Sequence, residues 1–145
     1  MSRSLCLVLT ALVLTACATQ TRSLLVANTD LCAHVEHHGP LSYDIPVRLN
    51  QCFGTQNQEW TVKDDTFVNR ANLCLTVEGN QAQDFTPVIA AQCSGSPGQR
   101  WQVSGSRIVG LGGKCLDVAG GDVAGGSQLV LNACGTGASQ QWLVQ

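Results

Sequence analysis

A chain of 145 residues is sized for one domain. With a net charge of -2 and only 12% charged residues, it has no basic face to neutralise a nucleic-acid backbone. Aromatic residues make up 5% of the chain against 15 glycines, a balance that suits many short strands and tight turns better than long helices.

At the N-terminus, Arg3 precedes the apolar run Leu5–Leu14. That run is too short to span a bilayer comfortably and reads as the apolar region of a secretory signal. It ends in Leu14-Thr15-Ala16-Cys17, which resembles the lipobox of bacterial lipoproteins. The resemblance implies a signal peptide over 1–16, acylation of Cys17 as the new N-terminus, and a short linker to residue 23. Residues 24–145 are then the folded domain. Two or more acyl chains anchor stably where one does not, so the expected location is the cell envelope, held to a membrane by lipid. By analogy with enterobacterial lipoproteins, Ala18 rather than Asp after the cysteine favours the outer membrane.

Beyond the signal, the strands repeat. Apolar segments at Leu24–Asn28, Thr66–Asn69 and Arg107–Gly110 each precede a cysteine strand, at Leu31–Val35, Leu73–Val77 and Lys114–Val118. A polar or Gly-rich loop follows, then a strand ending in a second cysteine: Val47–Cys52, Val88–Cys93 and Leu129–Cys134. Last comes Gln-x-Trp at Gln58/Trp60, Gln99/Trp101 and Gln140/Trp142, which opens a fourth strand. The tryptophans recur at one fixed interval, so the chain divides into equal units 20–60, 61–101 and 102–142. About four strands per unit give about twelve in all. A unit this thin cannot bury its own apolar face, so three must share one core.

Of eight cysteines, Cys6 leaves with the signal and Cys17 is the lipid site. Six remain, and an even number in an exported protein points to disulfides. Six cysteines allow fifteen pairings. The repeat selects one bridge per unit: Cys32–Cys52, Cys74–Cys93 and Cys115–Cys134, at separations of 20, 19 and 19. Each closed loop contributes on the order of 3 kcal/mol in the chain-entropy model. A zinc site lacks any close Cys-x-x-Cys pair.

The three Gln-x-Trp motifs, the three cysteine pairs, and Cys115–Val118 with Gly126–Cys134 resemble the ricin B-type lectin family over about Leu24 to Gln145. The resemblance implies an all-β fold, a β-trefoil of three repeats of about 41 residues with one disulfide in each. Trp60, Trp101 and Trp142 are expected in the shared core, with Gln58 and Gln99 satisfying buried backbone groups.

Sugar recognition in that family implies a carboxylate after the first cysteine and an aromatic before the second. A polar residue two positions before that aromatic and an Asn beside the Gln of Gln-x-Trp complete the set. In the third unit the carboxylate is Asp117, while Asn132 holds the aromatic position, Val130 the polar one and Ser139 the Asn position beside Gln140. The glycine-rich loop Ala119–Gln128 lets a ligand approach the backbone. In the second unit Thr76, Ala91, Ile89 and Gly98 leave no site; in the first, His34 and Asn50 replace carboxylate and aromatic beside polar Arg48 and Asn57.

Other chemistry is weaker. His34, His37 and His38 lack a consistent helical spacing for a metal, and no metal or cofactor is expected. Asp64 and Asp65 read as a hairpin turn rather than as catalytic acids facing each other across a substrate. Leu111–Cys115 lacks the third glycine of a dinucleotide fingerprint and leads into a strand. The expected function is non-catalytic carbohydrate binding centred on Asp117, with Asn132, Ser139 and Gln140, by a lipid-anchored envelope protein whose partner is a glycan. The alternative is a protein–protein module with decayed sugar sites, such as a toxin-associated lectin-like subunit.

Overall fold

The computed structural model describes residues 20–36 and 44–145. The signal segment, Cys17, and His37 with His38 lie outside the described residues. In the first unit the strands are β1 (Thr21–Arg22), β2 (Leu24–Val26), β3 (Leu31–Val35), β4 (Ile45–Gln51) and β5 (Trp60–Lys63). The second has β6 (Thr66–Asn69), β7 (Leu73–Val77), β8 (Thr86–Gln92) and β9 (Gln102–Ser104); the third has β10 (Arg107–Val109), β11 (Cys115–Val118), β12 (Leu129–Asn132) and β13 (Trp142–Val144). The expected twelve are all present, and among the described residues β1 adds a thirteenth, pairing Thr21 with Thr61.

Connectivity follows the repeat. Each Gln-x-Trp strand pairs antiparallel with the first strand of the next unit, as β5 with β6 and β9 with β10. The last unit meets the first through β13 and β2, which closes the circuit and leaves no free edge there. The second and third strands form hairpins β3–β4, β7–β8 and β11–β12. Their third strands touch in turn, β4 to β8 and β8 to β12, and an Arg48–Gln128 bridge joins the remaining pair. The result is a β-trefoil. Asp64 and Asp65 form the two-residue turn of the β5–β6 hairpin, with Asp64 in the left-handed region that such turns require.

Alternation decides which residues face the centre. In β11, Leu116 and Val118 belong to the core, so Cys115 and Asp117 point to the opposite face. That face is also covered, and all four residues are buried. Trp60, Trp101 and Trp142 are buried in the common core, each removing roughly 150–250 Å² from water. Gly110 lies flat against Trp101, where a built Cβ would come within 2.6 Å of the indole.

Each Gln-x-Trp pair ties its own hairpin down. The indole N–H groups of Trp60, Trp101 and Trp142 donate to the carbonyls of Ala33, Leu75 and Leu116, the residues after the first cysteines, at 3.3, 2.9 and 3.0 Å. The amides of Gln58, Gln99 and Gln140 donate to the carbonyls before the second cysteines, Gln51, Gln92 and Ala133. They accept from the N–H groups just after those cysteines, Phe53, Ser94 and Gly135. The disulfides Cys32–Cys52, Cys74–Cys93 and Cys115–Cys134 fall between these anchors, one per unit as expected.

One side chain serves all three units at once. Gln128 Nε2 lies 3.0 Å from the carbonyl oxygens of Val47, Val88 and Leu129, which occupy equivalent places one repeat apart. Gln128→Leu should cost roughly 1–3 kcal/mol, the usual penalty for leaving buried acceptors without a donor. Urea unfolding followed by tryptophan fluorescence measures the change, and a loss well below that range would mean that the carbonyls find another partner.

Candidate functional site

In the third unit, strand alternation places Asp117 and Asn132 on one face of the β11–β12 hairpin. The turn Ala138–Gln140, held by its own backbone bonds, brings Gln140 against the same face. Asp117 Oδ1 accepts the Val118 N–H at 2.7 Å. Its Oδ2 accepts from Asn132 Nδ2 at 3.1 Å and from Gln140 Nε2 at 3.0 Å. A carboxylate offers about four lone-pair directions, so three donors leave one, on Oδ1. Asn132, which stands where the resemblance implies an aromatic, instead donates to the carboxylate and positions it. Ser139, also predicted, is buried beside Gln140, and among the described residues its hydroxyl has no hydrogen-bond partner. Val130, by contrast, is a buried apolar residue in the β11–β12–β8 sheet.

Space at this site depends on Gly121. Its backbone is left-handed at φ 68°, and a built Cβ would stand 3.8 Å from Ser139 Oγ, an ordinary contact. The second unit shows what closure looks like. There Asn80 is left-handed at φ 52°, and its Oδ1 accepts the Gly98 N–H at 2.8 Å. A side chain at Gly98 would meet that oxygen at 2.5 Å. Asn80 thus fills a place where the third unit has no side chain on Gly121 and only the short one of Ser139, and Thr76 takes the Gln99 amide at 3.2 Å where a carboxylate would stand. This plug was not read from the sequence, although Asn80 holds the repeat position that Gly121 holds in the third unit.

The first unit is built differently. His34 stands opposite Arg48 on the β3–β4 hairpin, and Arg48 pairs with Glu36 at 3.2 Å and donates to the Gly126 carbonyl at 3.2 Å. His34 Nδ1 is buried with no hydrogen-bond partner. Burial pushes the His34 pKa below the ordinary 6.5, and the nearby Glu36 carboxylate works against that shift. Phe53, missed by the search for an aromatic before Cys52, is 65% exposed just after it, and its N–H is the one held by Gln58. Among the described residues no group of three His, Cys, Asp or Glu side chains is arranged to hold a metal ion. A groove of about 500 Å³ lies apart from Asp117, Asn132, Ser139 and Gln140, between the β5–β6 hairpin and the Cys74–Cys93 bridge, with Thr66, Asn69 and Gln99 in its wall.

A family model described as ricin-type beta-trefoil lectin domain matches residues 19–142. Among solved structures, the designed three-fold symmetric protein ThreeFoil superposes with a TM-score of 0.76 at 24% identity, covering 86% of this chain and 96% of that one. The β-trefoil lectin of the Vibrio vulnificus haemolysin/cytolysin, solved with N-acetyl-D-lactosamine bound, gives 0.68 at 20% identity over 88% and 95%. A mosquitocidal holotoxin gives 0.77 at 21% identity; the match covers 88% of this chain and 17% of that one. At these identities the likeness is one of fold. No curated protein matches the chain.

His34 gives the first unit a pH signature. Its folded pKa is lowered, so between that value and 6.5 the unfolded chain binds more protons than the folded one. The associated stability is present above 6.5 and is lost as pH falls through the folded value. His34→Thr, which places the residue of the second unit there, should shrink the drop in urea midpoint between about pH 7.5 and about pH 5. An unchanged drop would assign the dependence to other groups.

Proposed function

The chain belongs to the ricin-type beta-trefoil lectin domain family, and from that premise we propose that it binds glycans without catalysis through a single site in the third unit. The observation that carries the reading is the Asp117 carboxylate, held by Val118, Asn132 and Gln140 with one acceptor direction left over. Beside it lies the unpartnered Ser139 hydroxyl, in a place left open by Gly121. A fixed carboxylate accepting from sugar hydroxyls is a charge-assisted contact, stronger than a neutral one. The second unit, plugged by Asn80, contributes no site.

A lone shallow site of this kind works near 1 mM, about -4.1 kcal/mol, so useful binding depends on display at high density. A lipid anchor at Cys17 supplies such display, and the lipobox-like Leu14–Cys17 supports that part of the reading. Outer-membrane placement rests on Ala18 alone. A protein-binding use is the second reading, favoured by the lack of an aromatic at Asn50, Ala91 and Asn132 and by the exposed ring of Phe53.

Soluble protein from Ala18 onward, arrayed densely against a broad glycan panel, tests the site. Asp117→Asn removes the charge, and Gly121→Asn combined with Ser139→Gly recreates the plug of the second unit, with Asn at a left-handed position that it tolerates and no side chain opposing its amide. Both should reduce binding about tenfold or more, the equivalent of about 1.4 kcal/mol. The plugged variant leaves the carboxylate network intact, so its loss of binding cannot be ascribed to misfolding around Asp117. Binding that survives both changes would place the site elsewhere, and a folded parent that binds no glycan would favour the protein-binding reading. Separately, cells fed labelled palmitate should label the full-length chain but not Cys17→Ala; equal labelling would remove the anchor.

A further inference from the structure

Phe85 is 69% exposed and carries a left-handed backbone at φ 67°. Its counterparts in the first and third units are Asp44 at φ 66° and Gly126 at φ 89°, so the fold turns the same way at all three places. Glycine adopts that conformation freely and aspartate tolerates it, whereas a bulky aromatic is a true outlier there. An exposed ring gains little from burial to offset the strain. Strained residues of this kind persist where surrounding structure over-determines them, and they concentrate at binding sites.

Surrounding structure does hold Phe85, and it is the structure of the third-unit site. The Phe85 N–H donates to the Leu131 carbonyl at 2.9 Å. Strand β8 pairs with β12 as Thr86 with Leu131 and Pro87 with Val130, so the next step in register sets Phe85 beside Asn132. Asp84 reinforces the contact by accepting the Ala133 N–H at 3.0 Å and a bond from Lys114. Residues opposite one another in antiparallel strands share a face. Asp117 and Asn132 therefore line one face of the β11–β12 hairpin, and Phe85, the residue just before β8, stands beside Asn132 at the end of that hairpin.

We propose that Phe85, contributed by the second unit, is the apolar platform of the third unit's glycan site, and that its ring stacks on the less polar face of a second sugar ring while Asp117 engages the first. The ligand class this defines is an oligosaccharide of at least two pyranose rings. Two strand spacings and a two-residue offset along the strands separate Asp117 from Phe85, about 12 Å, more than one pyranose spans. The inference rests on the lectin reading above. It also explains how a site with Asn132 in the aromatic position acquires a stacking surface from a neighbouring unit.

The test uses immobilised galactose with lactose and glucose with cellobiose, each probed with the parent protein, Phe85→Ala, Phe85→Gly and Asp117→Asn. The parent should prefer a disaccharide to its monosaccharide. Both Phe85 variants should lose about tenfold on the disaccharide and little on the monosaccharide, whereas Asp117→Asn should lose both. Phe85→Gly should hold or raise the urea midpoint, because it removes the backbone strain, so lost binding would not reflect a weakened fold. Disaccharide binding that survives both Phe85 variants but not Asp117→Asn would overturn the platform and keep the site. A folded parent that binds none of the four sugars would overturn the site for them and the platform with it.

Discussion

The whole architecture depends on one short staple, a glutamine and a tryptophan two residues apart that hold the two strands of the same hairpin at its open end. The indole N–H fixes the carbonyl beside the first cysteine, and the amide fixes the peptide groups on both sides of the second. Both contacts satisfy polar groups inside the domain, where leaving them unmade is costly. Because the indoles also meet in the centre, each staple connects the local hairpin to the shared core. A disulfide between the anchored segments then limits the loop in the unfolded chain. Local hydrogen bonding, core burial and covalent closure thus agree in every unit, which is the consistency expected of a sequence that specifies one fold.

Repetition is what made the fold legible. A single Trp60 or a single pair Cys32–Cys52 admits many interpretations, and recurrence at one fixed interval reduces them to one. The tryptophans, the pairing of six cysteines and the hairpin turn at Asp64–Asp65 all followed from that spacing. Strand β1 did not, because two residues beside an existing strand carry no periodic signal. Gln128 was also hidden. Its amide serves carbonyls of three units, and its own position is not repeated as glutamine in the others.

The cluster around Asp117 was legible in its residues but not in their hydrogen bonding. Asp117, Asn132, Ser139 and Gln140 do come together, since strand alternation and the turn before Trp142 bring them to one face. A motif position says where a side chain is, however, and hydrogen bonding says what it does. Asn132 donates to the carboxylate, and Asn80 closes the neighbouring unit through a backbone N–H. Contacts between units are harder still to read. Phe85 belongs to the second unit in sequence and adjoins the third in space, so a unit-by-unit search cannot assign it.

Divergence among the three units follows from how much the staple tolerates. After holding the peptide before the second cysteine, the glutamine amide retains one further N–H. In the third unit that hydrogen goes to Asp117, and in the second to Thr76, whose hydroxyl still accepts it. Exchanging carboxylate for hydroxyl removes a charged acceptor while leaving the fold's own hydrogen bond intact, so the charge can be lost with little loss of stability. In the first unit His34 takes the place instead and retains a buried nitrogen without a partner. That substitution does carry an energetic cost, because an unpaired buried acceptor gives up its hydration. The scaffold therefore favours, two residues after the first cysteine, a group that accepts the glutamine's second hydrogen, as Thr76 and Asp117 do and His34 does not. The proposed glycan site adds only the narrower demand that the acceptor be charged and left partly open.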